Sequence, residues 1–297
     1  MEQSLLDRRV QALVKTNPSL AEAAALQSAL LGCIYGVSAP TRPIVLPAQR
    51  ARDKLEAGTP LLHGEDVYLD DGFIRDVFGR LVNLLRTRPE SAEGVAVVAV
   101  AARDHRLHVE HVVAEAFVNH ADHVEQVAIQ ADIDADLLQT LAQLSARPIL
   151  MAYAEHLATP LAAATWSRGY CPLCGAWPIL AELRGPELSR HLRCGRCGSD
   201  WTASRLYCPF CGIDDHDSLG YLQIEGERRF RVDVCHRCQG YLKAGNAFDP
   251  SPPEMLALDD LASVHLDLAA LERGHARPPE PGFRLDLVGD EGELYDD

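Results

Sequence analysis

The 297-residue chain has no apolar run near the roughly 20 residues that a membrane span needs. Its longest apolar run, Val95 to Ala102, suits a buried strand or helix, and no stable membrane insertion is expected. The first residues, Met1-Glu2-Gln3-Ser4, lack the basic stretch and apolar segment of an export signal, so the expected compartment is the cytoplasm. A Walker loop, a G-x-G-x-x-G turn and a nucleophile elbow are also missing. No catalytic constellation stands out, and the expectation is a binding protein, not an enzyme. Positive charge is scarce, with 28 Lys and Arg against 43 Asp and Glu and a net charge of −15. Proteins that hold phosphate backbones neutralise them with Lys and Arg. No nucleic-acid partner is therefore expected.

Against these absences stands one concentration. Eight of the nine cysteines form four C-x-x-C pairs: Cys171/Cys174, Cys194/Cys197, Cys208/Cys211 and Cys235/Cys238. Two intervening residues let one tight turn aim two sulfurs at one metal ion, and two such turns complete a tetrahedral site. In a reducing compartment this pattern reads as metal or redox chemistry before structural disulfides. The gaps between successive pairs are 19, 10 and 23 residues. A β-hairpin fits the longer gaps, and the 10-residue gap suits a connector. The expected sites are therefore Cys171, Cys174, Cys194 and Cys197, and Cys208, Cys211, Cys235 and Cys238. Four sulfurs around a tetrahedral ion suit zinc or iron, and spacing does not separate the two. Such a site has no open position for substrate, which argues against hydrolytic metal catalysis.

The residues around the sulfurs fit this reading. Cys171-Pro172-Leu173-Cys174-Gly175 and Cys208-Pro209-Phe210-Cys211-Gly212 share a turn in which Pro fixes φ and Gly permits a positive φ. Gly198 follows Cys197 in the same way, whereas Gln239 follows Cys238 and the glycine comes one residue later. From Trp166 to Ala244 the chain holds 11 basic and 9 acidic residues, so this stretch is close to neutral and the rest carries about −17. Arg193, Arg196 and Arg237 stand beside the sulfurs, where they offset a thiolate site of about −2 or meet a partner.

The predicted organisation is α+β. Residues 1–165 read as a helical domain. Helices are expected from Leu20 to Ile34, after Asp70-Asp71, from His108 to His123, and from Asp136 toward Leu157 with a break or bend at Pro148. The three prolines between Val37 and Pro47 mark a loop. Residues 166–207 and 208–244 read as two rubredoxin-like or zinc-ribbon β modules. Short strands are expected at Trp177–Leu183, Ser189–Arg193, Tyr221–Glu225 and Arg228–Val234. Residues 245–297 read as a linker, a C-terminal helix over Leu256–Leu271 and a poorly packed acidic tail. His105, His108, His111, His120 and His123 crowd one stretch, most simply as a solvated polar face. Cys33 reads as a small core residue. Asp214, Asp215, His216 and Asp217 read as a polar loop.

The order of motifs resembles the FdhE family. The resemblance rests on Cys171-Pro172-Leu173-Cys174-Gly175, on Leu192-Arg193-Cys194 and Cys197 with Trp201 and Arg205, and on Cys208, Cys211 and Gly212. It continues through Cys235 and Cys238 with Tyr241-Leu242-Lys243, then Leu258-Asp259-Asp260-Leu261-Ala262 and His265-Leu266-Asp267. Residues 171–271 carry it. The resemblance implies a cytoplasmic accessory factor for maturation of formate dehydrogenase, with the catalytic subunit of that enzyme as partner and two metal ions, iron or zinc. Two other classes remain open. One is a zinc-ribbon nucleic-acid binder, which the charge disfavours. The other is a rubredoxin-like electron carrier, which visible absorption would reveal.

Overall fold

The computed structural model describes residues 3–162 and 165–288. These residues form an α+β fold with eleven α-helices and six strands among them, and none of the helices is long and apolar enough to cross a membrane. The chain divides into two compact units. One comprises residues 1–37 and 166–282, the other residues 38–165 and 283–297. The change of character at Trp166 thus coincides with a boundary. Residues 3–37 pack with the cysteine region.

In the helical unit, α3 (Ala48–Glu56), α4 (Asp71–Arg86), α5 (Ala92–Arg103), α6 (Val109–Phe117), α7 (Ala121–Ala131), α8 (Ala135–His156) and α9 (Ala158–Ala162) follow in order. Asp70 starts α4 by accepting the Phe73 N–H at 2.7 Å, and Ile74, Val77, Phe78, Leu81, Val82 and Leu85 form the buried stripe. Asp134 caps α8 in the same way through Leu137 N, at 2.8 Å. Helix α8 packs against α4, α6 and α7, and it runs through Pro148 without ending. Val95 to Ala102 lies in a helix, α5.

The single helix expected from His108 to His123 is two. Asn119 takes a left-handed φ of +68°, and the His120 N–H closes the end of α6 on the Glu115 carbonyl at 2.9 Å. Asn tolerates that conformation better than other residues with a Cβ. The acidic tail also departs from expectation as far as it is described. Leu285 is fully buried, its N–H donates to Val118 O at 3.0 Å, and Val288 N donates to Glu65 O at 3.1 Å. Residues 289–297 lie outside the described residues.

In the cysteine unit, α1 (Gln3–Thr16) and α2 (Ala21–Tyr35) precede β1 (Pro178–Arg184), β2 (Ser189–Cys194), β3 (Asp200–Thr202), β4 (Leu219–Leu222), β5 (Phe230–Cys235) and β6 (Tyr241–Ala247). Helices α10 (Pro253–Ala262) and α11 (Val264–Leu271) close it. The strands form one sheet in the order β3-β2-β1-β6-β5-β4. Each expected β module supplies three antiparallel strands. The parallel pairing of β1 with β6, Ala181 opposite Ala244 to Arg184 opposite Ala247, fuses them. Helices α10 and α11 cover this sheet, with Leu256, Leu266 and Ala270 packed on Leu180, Phe230, Val232, Val234 and Tyr241. Full burial of one such large apolar side chain is worth about 1.5–3 kcal/mol. Leu6 and Leu31 of α1 and α2 pack on Met255 and Leu258 of α10.

The expected C-terminal helix is likewise two. Ser263 is buried, and its hydroxyl donates to Asp259 O at 2.7 Å and Asp260 O at 3.2 Å, competing with helix continuation. Polar contacts then clamp α10 and α11 to the sheet. Lys243 on β6 is fully buried and reaches Asp260 Oδ1 at 2.7 Å and Asp267 Oδ2 at 2.6 Å. Tyr241 donates to Asp267 Oδ1 at 2.8 Å. Asp259 pairs with Arg9 of α1 and, at 2.8 Å, with Arg229.

Candidate metal centres

The four C-x-x-C turns share one backbone bond, and three of them share a second. The first cysteine donates its N–H five residues ahead, Cys171 to Ala176 O at 2.8 Å, Cys194 to Ser199 O at 2.9 Å, Cys208 to Ile213 O at 2.8 Å and Cys235 to Gly240 O at 2.9 Å. The N–H of Gly175, Gly198 and Gly212 returns to the first cysteine's carbonyl at 3.0, 3.2 and 2.9 Å. All three glycines have a positive φ, between +73° and +79°. Gln239 fills the equivalent place in the fourth turn with a φ of +57°, and its side-chain amide donates to His236 O at 2.8 Å. With the glycine displaced by one residue, Gln239 adopts the left-handed conformation itself.

The sheet then brings the turns together in twos. The β1–β2 hairpin sets the first pair against the second: Cys171 Sγ lies 3.5 Å from Cys197 Sγ, and Cys174 Sγ lies 3.6 Å from Cys194 Sγ. The β4–β5 hairpin does the same for the other two, with Cys208 to Cys238 and Cys211 to Cys235 both at 3.7 Å. Within each group the sulfurs all lie within 4.8 Å of one another. None of the nine cysteines is in a disulfide, whose sulfurs would be about 2.05 Å apart. A tetrahedral ion with metal–sulfur bonds of about 2.3 Å spaces its ligands about 3.8 Å apart. The two clusters match that spacing and could hold two metal ions.

The electrostatics of the donor set point the same way. Burial pushes the Cys171 and Cys197 thiols well above their usual range, while hydrogen bonds from Cys171, Cys174 and Cys197 hold Cys194 well below it. Burial raises Cys208 and pushes Cys238 up to about 11. At Cys235 burial acts upward too, but the N–H groups of Cys238 and Arg237 outweigh it and the thiol is lowered. Four close sulfurs resist ionising together, because each thiolate opposes the next. A central divalent cation removes that opposition.

The two sites differ in access. All four cysteines of the first are buried, whereas Cys211 and Cys238 of the second are exposed. At the first site Ser199 Oγ sits 3.0 Å from Cys197 Sγ, and the Arg196 N–H points at Cys194 Sγ at 3.4 Å. Sequence reasoning missed Ser199, whose place two residues after a ligand turn is its one signal. Aromatic edges join the sites, with Tyr170 and Trp177 centroids 6.0 Å apart and Trp177 and Phe210 5.3 Å apart. Gly169 lies so close to the Pro209 backbone that a Cβ there would come within 1.8 Å of the carbonyl oxygen.

The arginines beside the sulfurs separate into different roles. Arg193 is 2% exposed and bonds Glu182 at 2.7 Å and Ser251 O at 2.8 Å, so it is internal to the fold and unable to meet a partner. Arg196 is half-buried and Arg237 exposed. Cys33 is half-buried on α2. Asp214 to Asp217 are exposed, with Asp215 accepting from Asp217 N and Ser218 Oγ in a local turn. His105 and His108 line a cavity with Arg75, Asn83 and Arg86, and His111 is exposed on α6. His120 and His123 instead meet around Glu115, which carries no signal of this role in the sequence.

Residues 206–281 match the family model for the FdhE C-terminal domain. A Protein FdhE homolog of Aquifex aeolicus is 30% identical over 151 residues, 49% of this chain and 52% of its own length. The Protein FdhE of Escherichia coli is 32% identical over 114 residues, 37% of this chain and 36% of its own. Over these stretches the chain is similar to FdhE proteins. The aligned stretches span about half or less of these FdhE relatives. The crystal structure of the FdhE protein from Pseudomonas aeruginosa shares the fold, with a TM-score of 0.55 and 24% identity over 94% of each chain. The family-model match begins just before Cys208 and takes in the second cluster, β6, α10 and α11. It therefore includes Lys243 and the Asp260 and Asp267 carboxylates that it holds.

Proposed function

We propose that this chain is an accessory factor in formate dehydrogenase maturation and that its cysteine-bearing unit binds the catalytic subunit of that enzyme. In this reading Cys171, Cys174, Cys194 and Cys197 hold one metal ion, and Cys208, Cys211, Cys235 and Cys238 hold another, each iron or zinc. The carrying observation is two closed four-sulfur clusters on one fused sheet in a chain similar to FdhE proteins. A closed four-sulfur site leaves no position for substrate, so its contribution is to hold surface loops in place. The chain then acts in the cytoplasm as a binding protein and not as a catalyst. The second site is the better contact face, because Cys211, Cys238, His236, Arg237 and Gln239 are exposed there.

A pull-down from cell extract tests the reading. The wild type should recover the dehydrogenase subunit, and Cys171→Ser/Cys174→Ser should not. Equal recovery by both would dismiss a metal-dependent surface, and recovery of nucleic acid would replace the reading with the zinc-ribbon one. The exposed sulfurs also favour a second reading, electron exchange through the second site. That reading requires iron, which gives the oxidised protein visible colour; a colourless protein with two bound ions excludes it.

A further inference from the structure

The histidine-rich stretch contributes nothing to the function proposed above, yet the break at Asn119 gathers part of it into a donor set. Glu115 lies in the last turn of α6, His120 precedes α7 and His123 is in its first turn. The turn between them is tied by His120 N to Glu115 O at 2.9 Å, His123 N to His120 O at 3.2 Å and Asn119 Nδ2 to Phe283 O at 2.9 Å. Glu115 Oε2 consequently receives two imidazoles, His120 Nδ1 at 3.0 Å and His123 Nδ1 at 2.9 Å. The two rings meet edge to face with centroids 5.2 Å apart. The side chains of Glu115, His120 and His123 are 17%, 24% and 51% exposed. The neighbouring Asp122 is directed elsewhere, to Arg284 at 3.0 Å, and the ion pairs of Glu115 are with the two imidazoles.

Two imidazole nitrogens and a carboxylate oxygen within 4.8 Å of one another are a donor set that borderline divalent ions favour. Bonds of about 2.0–2.2 Å to nitrogen and oxygen put tetrahedral neighbours about 3.3–3.6 Å apart. That is a few tenths of an ångström beyond the contacts present, within reach of a small rotation of half-exposed His123. The carbonyl end of α6 favours a cation and the N–H end of α7 opposes it, so the ligands decide. Neutral imidazoles bind through Nδ1 once their proton resides on Nε2, and no proton need be released.

We propose that Glu115, His120 and His123 form a third metal site, open and exchangeable, for a borderline divalent cation such as zinc, cobalt or nickel. Water completes its coordination. This inference is independent of the maturation reading. It also differs from simple helix capping, in which the same three side chains only bond one another and take no ion.

The test is a cobalt(II) titration of the full chain with both cysteine sites loaded with zinc and loose metal dialysed away. One further equivalent of cobalt should bind, with paramagnetically shifted imidazole resonances and no thiolate-to-cobalt absorption. Glu115→Gln and His123→Ala should each lose that equivalent, while His111→Ala, exposed on the same helix, should keep it. Thermal unfolding of the metal-free variants reports whether they fold; His123→Ala is the safer one because the ring is half-exposed. The proposal is overturned if the wild type binds no further cobalt, if folded His123→Ala binds it unchanged, if His111→Ala abolishes binding, or if the bound cobalt shows thiolate absorption.

Discussion

Each cysteine turn depends on one left-handed residue, and the four turns solve that requirement in two ways. Gly175, Gly198 and Gly212 have no Cβ to strain, whereas Gln239 holds a φ of +57° with a Cβ present. That conformation costs roughly 1–2 kcal/mol in a residue other than glycine. At Gly212 a Cβ would meet nothing within 4 Å, so the substitution Gly212→Ala isolates the backbone strain. It should lower unfolding stability by about 1–2 kcal/mol in urea titrations. Gln239→Gly should be neutral or slightly stabilising, since relief of strain is set against loss of one exposed hydrogen bond worth about 0.5 kcal/mol. A neutral Gly212→Ala, or a Gln239→Gly that costs more than about 1 kcal/mol, would show that the turns tolerate side chains for another reason.

Among the elements, the sheet owes its unity to β6. Its buried Lys243 binds α10 and α11 through Asp260 and Asp267, and β6 joins the two halves by pairing with β1. Removing one partner of a buried ion pair costs about 3–5 kcal/mol. Both carboxylates keep some solvent, so Lys243→Met should cost less, about 2–3 kcal/mol, in urea unfolding with metal retained. A loss under about 1 kcal/mol would mean that apolar packing alone holds the two helices.

Local signals made much of this legible in sequence. The cysteine pairing needed only spacing and hairpin length, and Asp70 with its apolar stripe announced α4. The rest is set by distant contacts. Strand β6 reads Tyr-Leu-Lys-Ala-Gly-Asn-Ala, without alternation, and becomes a strand because β1 and β5 flank it. The short β3 depends on β2 in the same way. Glu115 in an apolar helix gave no sign of the histidines that a left-handed Asn119 turns toward it.

For the molecule as a whole, the proposed thiolate-bound ions would link metal binding to the folding of the cysteine unit. Structural metal ions in small modules contribute on the order of 10 kcal/mol to folding. Residues 3–37 pack with the cysteine region, so chelation should lower hydrogen-exchange protection there as well as across 166–282. Protection in α4, α6 and α8 should persist. Loss of protection in all helices together would contradict two separable units. The second site should lose its ion to a chelator before the first, because Cys211 and Cys238 are exposed and the first four sulfurs are buried.

The most direct test is a count of thiolate-bound ions by elemental analysis and X-ray absorption on protein purified without air or added metal. The wild type should hold two ions per chain, each with four sulfurs at about 2.3 Å. Cys174→Ser should retain one complete four-sulfur site, that of Cys208, Cys211, Cys235 and Cys238. Loss of both ions in that variant, retention of both, or fewer than two thiolate-bound ions in the wild type would contradict the paired four-cysteine sites.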